Sequence, residues 1–303
     1  MVPTVSVIVP AKNSSATLAL AIQSVMAQDF KPIEIIVIDD GSTDETALIA
    51  SQFEPWVTLL QGEGKGAGPA RNLGIMAAKG EYIAFLDADD FWLPQKLSQQ
   101  VELLKNGSLC ATYSDYVLGP KRKPIGSSVK TKNDLEAMAY VKNGKGVPAV
   151  LSSWVLSKQD IISVGLFDEN FRFAQDYDLL LRLIAHGLVI NIVRVPLVLY
   201  LLHSNSSSAV SHKAQTMTAE YLRARHLNGE TLGFDAWLES AKSKMGLRRR
   251  AKAGYLFRQA IVQKPNPWGF IRKCGYAISS LILDPVRFLH KLKSQSNFGD
   301  PKK

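Results

Sequence analysis

The stretch GEYIAFLDADD, residues 80–90, decides the fold that this sequence encodes. Its first half, Tyr82–Leu86, is a short apolar run between two acidic residues, which is typical of a buried strand. Its second half places Asp87, Asp89 and Asp90 directly after that strand. In parallel sheets covered by helices, ligands bind at the carboxyl ends of the strands. The stretch therefore predicts an α/β fold with an acidic site at one edge of its sheet.

The residues before this stretch alternate between strands and helices. Further strands are predicted over Val5–Val9, Ile33–Ile38 and Val57–Leu60. Helices are predicted after each of them: from a cap at Ser14 or Ser15, from a cap at Ser42 or Thr43, and over Pro69–Ala78. Strands joined by helices of this length imply a mostly parallel sheet with right-handed crossovers. That arrangement brings the residues that follow each strand to one edge of the sheet.

The remainder of the chain continues the pattern of strands and helices and then changes to helices only. The predicted elements are helices over Pro94–Leu104, Asp134–Asn143, Lys158–Val164 and Asp176–His186, and strands over Ala111–Val117, Ala149–Leu156 and within Leu188–Leu202. Beyond about Lys213 the pattern is helical only. We therefore predict an α/β domain over residues 1–212 and a basic helical extension over residues 213–303.

The charge of the chain is concentrated in that extension. The whole chain carries +9, but residues 241–303 contain 15 Lys and Arg against 2 Asp and Glu, whereas the first 240 residues carry −4. The basic residues alternate with apolar and aromatic ones, so this segment either lies on an anionic membrane surface or packs as a subdomain with a solvated basic face. No nucleic-acid reader motif is present, and we do not expect nucleic acid as a partner.

The expected location follows from cysteines and hydropathy. Cys110 and Cys274 are far apart, which predicts no disulfide framework and fits a reducing compartment. The opening residues show no secretory pattern, and the longest apolar run, Leu188–Leu202, is too interrupted to span a bilayer. The expectation is a cytoplasmic protein that associates peripherally with the inner face of the membrane through its tail.

The acidic stretch predicts a metal site. Asp87 and Asp89 lie two residues apart, so in an extended segment their side chains point the same way. Carboxylate oxygens are hard ligands suited to Mg²⁺ or Mn²⁺. A solvated acidic turn is the alternative, and the position after a buried strand disfavours it.

Four other residues are candidates on weaker grounds. Asp40, after the second strand, can accept hydrogen bonds from a base or a ribose, and Arg71, after the glycine-rich loop 62–68, can bind a phosphate. Asp176 begins a helix, where local sequence favours a helix cap over a general base. His203 lies in a polar loop and is either a surface residue or a metal ligand.

In chain order, five segments resemble the family 2 inverting glycosyltransferases of the GT-A fold. They are SVIVPAKN at 6–13, VIDDGSTDET at 37–46, GAGPARNLGI at 66–75, GEYIAFLDADD at 80–90 and QDYDLLLRL at 175–183. The resemblance covers about residues 1–210. It implies a GT-A catalytic domain that binds a nucleotide-sugar donor and a divalent metal ion.

The resemblance also implies a role for each matching position. The donor-binding residues would be Pro10, Ala11, Asn13, Asp40, Arg71, Asp87 and Ala88; the metal ligands would be Asp89, Asp87 and His203; and the catalytic base would be Asp176. Three positions depart from the family pattern: Lys12 replaces a frequent aromatic residue, Gln175 a frequent Glu, and Leu201 a frequent Arg. No Q-x-x-R-W segment is present, so the resemblance favours the transfer of one sugar per encounter.

The expected function is therefore transfer of a single hexose-type sugar, with a UDP-sugar as donor, to a glycan or lipid-linked acceptor in cell-surface polysaccharide synthesis. Two alternatives remain open at this point. A catalytically inactive nucleotide-binding scaffold would tolerate the loss of Asp89. A sugar nucleotidyltransferase would release pyrophosphate and usually has a glycine-rich loop after its first strand, where this chain has Pro10 and Lys12.

Overall fold

The computed structural model describes residues 4–105, 110–119, 150–201 and 212–227. These belong to a compact unit that runs from Met1 to Thr231. The second unit, Leu232–Lys303, lies outside the described residues, and with it most of the predicted helical extension. The predicted helix Asp134–Asn143 and the predicted loop around His203 lie outside them as well. The boundary at residue 212 stays a prediction.

The described elements alternate as the sequence predicts. The strands are β1 (Val5–Ala11), β2 (Ile33–Asp39), β3 (Val57–Gln61), β4 (Tyr82–Phe85), β5 (Phe91–Trp92), β6 (Cys110–Gly119), β7 (Trp154–Ser157) and β8 (Val189–Leu201). The helices are α1 (Leu18–Met26), α2 (Thr46–Ser51), α3 (Ala67–Ala77), α4 (Lys96–Lys105), α5 (Lys158–Ser163), α6 (Gln175–Ala185) and α7 (His212–Leu227), with a 3₁₀ turn at Leu151–Ser153. No helix of the described residues is long and apolar enough to cross a membrane.

All eight strands form one mixed sheet in the order β3-β2-β1-β4-β7-β6-β8-β5. The first four in this order are parallel, β7 is antiparallel to both of its neighbours, and β6 and β8 are parallel to each other. The predicted α/β class with a mostly parallel sheet is confirmed. From β1 the chain runs outward through β2 to β3 and then returns to β4 on the other side of β1, so the order of strands reverses at β1 and β4. A crevice at such a reversal is where open α/β sheets bind ligands.

Alternate residues of β1 face the two layers of helices. Val5, Val7 and Val9 belong to a buried core that they share with residues of α1. Ile8 points the other way, since side chains alternate along a strand. There it meets α3 at Gly74, where an added Cβ would lie 2.7 Å from Ile8 Cγ2. The absence of a side chain at this glycine lets α3 lie close to the sheet.

Two predicted helix caps are wrong. Helix α1 begins at Leu18 rather than next to Ser14 or Ser15, and α2 begins at Thr46. The backbone N–H groups of Ser14 and Ser15 instead donate to Thr46 Oγ1 and to Asp44 Oδ2, at 2.8 and 3.1 Å. Polar residues that resemble caps in the sequence thus join the two loops that follow β1 and β2. The short strand β5 was not predicted, because two residues are too few to show the alternation of apolar and polar side chains that indicates a strand.

Candidate active site

The ends of β1, β2 and β4 come together at one edge of the sheet. Ala11 pairs with Asp39, and Ile8 pairs with Phe85, so the loops that follow all three strands open on the same side. The Asp40 N–H donates to Ala11 O at 2.8 Å, which continues the pairing by one residue. The predicted ligand edge of the sheet is therefore assembled from three segments that are distant in sequence.

Asp40 is buried and keeps one acceptor atom without a partner. Its Oδ2 accepts from the Gly66 N–H at 2.8 Å, and Lys12 Nζ lies 4.0 Å from the same oxygen. Its Oδ1 has no hydrogen-bond partner among the described residues. Gly62 lies against this oxygen, because an added Cβ there would be 2.9 Å away. A buried carboxylate oxygen without a donor is costly unless a ligand supplies one.

Three predicted donor-binding residues lie on β1 or just after it. Pro10 is partly buried and Ala11 is buried, and both belong to the strand. Asn13 has a left-handed backbone with φ of 51°, which Asn tolerates better than most residues. Its N–H donates to Ser42 Oγ at 2.9 Å, and its Oδ1 accepts from the Thr43 N–H at 2.8 Å. Asn13 therefore fixes the loop after β1 to the loop after β2.

Arg71 pairs with Asp87 at the centre of this edge. Arg71 Nη2 lies 2.6 Å from Asp87 Oδ1, and the Arg71 side chain is 10% exposed. Its guanidinium carbon lies 5.7 Å from the centroid of the Phe167 ring. Two residues that the resemblance assigned to donor binding thus contact each other directly.

The turn that carries the acidic cluster is anchored by Ser152. The Ser152 hydroxyl donates to Asp90 Oδ2 at 2.5 Å and accepts from the Asp87 N–H at 3.0 Å, while the Leu201 N–H donates to Asp90 Oδ1 at 3.2 Å. Asp90 is fully buried, and Ala88 between the two acids is nearly so. Burial raises the pKa of the Asp90 carboxyl, and the negative charge of Asp87 raises it further. Asp90 therefore holds the turn in shape. Nothing in the local sequence of Ser152 indicates this contact.

The donor set for a divalent cation is partly present. Asp87 and Asp89 are both partly exposed, and the crowding of their charges against Asp90 is what a bound cation would relieve. Within the described residues no three His, Cys, Asp or Glu side chains form a group that could hold a metal ion. His203, the third predicted ligand, lies outside those residues. The two carboxylates are suitable ligands for Mg²⁺ or Mn²⁺. The remaining ligands of such an ion would be groups other than these two.

Asp176 lies in the first turn of α6 and is influenced by the charges of Arg71 and Asp87. It is the second residue of the helix, whose cap position is held by Ala174 with φ of 55°, so the alternative of a helix cap is wrong. Its Oδ1 accepts from the Tyr177 N–H at 2.9 Å. Burial raises the pKa of Asp176, the charge of Asp87 also raises it, and the charge of Arg71 lowers it. Asp176 is thus within electrostatic reach of the Arg71–Asp87 pair.

Contacts that the sequence did not reveal hold α6 beside α3. Asn72 Nδ2 donates to Phe167 O at 2.9 Å and to Glu169 Oε1 at 3.0 Å, while Asn72 Oδ1 accepts from the Phe167 N–H at 2.9 Å. A Cβ added at Gly68 would lie 2.7 Å from Gln175 Nε2. An open hollow of about 500 Å³ lies next to these contacts, and none of the predicted site residues lines it.

Comparison with known proteins gives three findings. Residues 6–148 match the family model described as glycosyl transferase family 2. An uncharacterized glycosyltransferase of Rickettsia prowazekii, RP339, is 34% identical over 187 residues, which are 58% of this chain and 57% of that protein. The Escherichia coli protein WfaP, named a UDP-Glc:alpha-D-GlcNAc-diphosphoundecaprenol beta-1,3-glucosyltransferase, is 38% identical over 116 residues, or 38% of this chain and 46% of WfaP. The matches thus span about half the length of these curated relatives.

A solved structure shows the same fold. The crystal structure of residues 1–349 of Staphylococcus aureus TarS in complex with UDP-GlcNAc superposes with a TM-score of 0.63 at 19% identity, over 96% of this chain and 80% of that one. The complex of the same protein with UDP gives a TM-score of 0.60 at 18% identity, over 90% of this chain and 74% of that one. The predicted GT-A fold is confirmed.

Proposed function

We propose that this chain, whose residues 6–148 match the family model of glycosyl transferase family 2, moves a single hexose-type sugar, with inversion, from a UDP-sugar to a glycan or lipid-linked acceptor. One observation carries this proposal. The Arg71–Asp87 pair lies at the carboxyl edge of the sheet and the charges of both residues act on Asp176, which supports one site for binding a diphosphate and for removing a proton.

The donor is bound by its nucleotide at the ends of β1 and β2. The unpartnered Asp40 Oδ1 accepts a hydrogen bond from a base N–H, since it is buried and has no donor of its own. Uracil has such a group at N3. UDP as the nucleotide is supported by the UDP-Glc donor for which WfaP is named. The UDP and UDP-GlcNAc ligands in the two TarS crystals support it as well. Pro10, Ala11, Asn13 and Ala88 would line the same pocket.

Asp87 and Asp89 would hold the Mg²⁺ or Mn²⁺, together with His203 and oxygens of the diphosphate. When bound, such a cation neutralises the charge that develops on the departing diphosphate. Arg71 contributes a fixed positive charge at the same place, because its guanidinium already lies 2.6 Å from Asp87. This chain therefore provides electrostatic stabilisation of the leaving group from its own residues as well.

Asp176 is the proposed general base. The acceptor hydroxyl oxygen attacks the anomeric carbon, the bond from that carbon to the diphosphate oxygen breaks, and the hydroxyl proton moves to the Asp176 carboxylate. Burial raises the pKa of Asp176 and so makes it a stronger base than an exposed aspartate. A single in-line displacement inverts the configuration at the anomeric carbon.

The proposed acceptor is a glycan carried on a lipid diphosphate, used at the inner face of the membrane in polysaccharide synthesis. WfaP is named for transfer to a sugar on diphosphoundecaprenol, and that relative supports the choice. The charge of +13 on residues 241–303 supports attraction to an anionic lipid surface. A basic segment of this kind would bring a cytoplasmic enzyme to a membrane-anchored acceptor.

Two measurements test this function. Thermal-shift screening of nucleotide sugars with and without Mn²⁺ should give a higher Tm for one UDP-sugar than for ADP- or GDP-sugars, because a ligand stabilises the state that binds it. Incubation of that donor with diphosphoundecaprenol-linked acceptors should then release UDP. Release of pyrophosphate would identify a nucleotidyltransferase instead. Donor binding without turnover on any acceptor, unchanged on mutation of Asp89, would identify a scaffold.

A further inference from the structure

Helix α3 contacts both halves of the proposed active site with one face. Gly68, Arg71 and Asn72 lie at positions i, i+3 and i+4 and so share that face. Arg71 binds Asp87 at the end of β4. Asn72 binds the Phe167 peptide, and Gly68 lies against Gln175 at the start of α6. The helix is therefore the direct connection between the turn of the acidic cluster and the helix of Asp176.

Asn72 forms a pair of specific hydrogen bonds with the backbone of Phe167. Asn72 is 7% exposed, and two of its three hydrogen bonds go to the backbone of one residue, because its amide accepts from the Phe167 N–H and donates to the Phe167 C=O. Of the side chains of this length, only an amide can donate and accept at that spacing, since a carboxylate lacks the donor. The bond to Glu169 is an addition to this pair and does not replace it.

Phe167 connects the Asn72 contact to strand β4 through its ring and to α6 through the chain that follows it. Its ring meets the Phe85 ring edge to face, with centroids 5.5 Å apart, and so is fixed against β4. Nine residues later the chain reaches Asp176, after Gln175 Nε2 has donated to Phe171 O and closed the intervening turn. The segment from 167 to 176 is thus held at its start by Asn72 and at its end by the contact of Gln175 with Gly68.

We infer that Asn72 is a positioning residue that sets the distance between Asp87 and Asp176. It does so by binding the backbone N–H and C=O of Phe167 to α3. This inference rests on the proposed function, in which Asp176 is the base and Asp87 binds the donor. Asn72 itself touches neither the donor nor the acceptor. Its loss should therefore affect the chemical step more than the binding of the nucleotide.

The test compares Asn72→Ala and the nearly isosteric Asn72→Asp with the wild type in the transfer reaction. We expect kcat to fall roughly 10- to 100-fold in both variants, because a misplacement of about 1 Å can cost that much, while the donor KM stays within about twofold. Glu169→Ala is the matched control: it removes one bond to Asn72 and keeps the pair with the Phe167 peptide, so kcat should stay within about twofold of wild type. Nucleotide binding per mole of protein measures the folded fraction, and rates are divided by it.

The outcomes separate this inference from the function on which it rests. If the wild type transfers sugar and both Asn72 variants keep its kcat per folded molecule, the positioning role is wrong and the function stands. If kcat and donor affinity fall together in Asn72→Asp, Asn72 acts on the donor site and the inference is again wrong. If the wild type transfers no sugar, the function is wrong. Hydrogen exchange at the amides of residues 175–179, faster in Asn72→Ala than in Glu169→Ala, then still decides whether Asn72 holds α6.

Discussion

Arg71 donates from Nη2 to Asp87 Oδ1 across 2.6 Å and so joins helix α3 to the end of strand β4. The pair lies within electrostatic reach of Asp176, whose pKa the Asp87 charge raises and the Arg71 charge lowers. An aspartate that acts as a base must be ionised, so the guanidinium helps to keep it in its active form near neutral pH. In the proposed mechanism the ion pair therefore links a donor-binding residue to the general base.

Replacing Arg71 with Ala should move the acidic limb of the pH–rate profile to higher pH. Removal of the positive charge takes away an influence that lowers the pKa of Asp176, and Asp87 is left uncompensated, so both changes raise that pKa. The measurement is kcat against pH under saturating donor. In Arg71→Lys, which retains the charge but not the forked geometry, the limb should stay close to the wild-type position. An unmoved limb in Arg71→Ala would show that Arg71 does not act on the base.

Asp176→Asn should strongly slow transfer and leave the protein at least as stable as the wild type. A general base contributes roughly 10²- to 10⁴-fold, so kcat should fall by that order while the UDP-sugar still raises Tm. Burial raises the folded-state pKa of Asp176, so the stability that this group contributes is present below the unfolded pKa and lost as pH rises through the folded pKa. At neutral pH the ionised group is therefore unfavourable, and a neutral amide should raise Tm slightly. A lower Tm together with lost UDP-sugar binding would instead indicate a structural role.

Asp178→Asn, two residues further along the same helix, should give the opposite result. Burial alone would raise the pKa of Asp178, but the hydrogen bond from His226 and the charge of Arg182 hold it below its ordinary value. The contacts are close: His226 Nε2 lies 3.0 Å from Oδ1, and Arg182 Nη2 lies 2.6 Å from Oδ2. Loss of the charge should lower the free energy of unfolding by about 1–3 kcal/mol, since Arg182 is partly exposed and can find water.

The pH dependence of that difference follows from the sign of the shift. A lowered folded-state pKa gives stability that is present above the unfolded pKa and is lost as pH falls through the folded one. Urea unfolding of wild type and Asp178→Asn should therefore differ most near neutral pH and converge below about pH 4. A difference that grows as the solution is acidified would contradict a stabilising contact of ionised Asp178 with Arg182 and His226.

The sequence predicted the parts of the site that have a local signal and missed those that depend on packing. Strands and their acidic ends were readable, because apolar runs followed by carboxylates are recognisable in a few residues. The Ser152 and Asn72 contacts were not, since they join residues 62 and 95 positions apart through a hydroxyl and an amide that occur in any sequence. Asp176 was assigned as the base only through the family resemblance, because its own neighbours resemble a helix start, and that role stays a prediction. His203, the third predicted metal ligand, lies outside the described residues.

The donor pocket gives a last prediction, in which two adjacent aspartates should behave differently. Asp40→Asn converts the unpartnered buried oxygen into part of a neutral amide, so the bond to the base N–H loses its charge. The donor KM should rise roughly tenfold or more, since hydrogen bonds to charged groups contribute about 1.5–3 kcal/mol, with a smaller change in kcat. Asp39→Asn is the control, because Asp39 Oδ1 accepts from the Ser42 N–H at 3.1 Å and an amide oxygen can do the same. Steady-state kinetics with a varied UDP-sugar measures both constants. Equal increases in KM for the two variants would place the effect in the loop after β2 and not in a contact between Asp40 and the base.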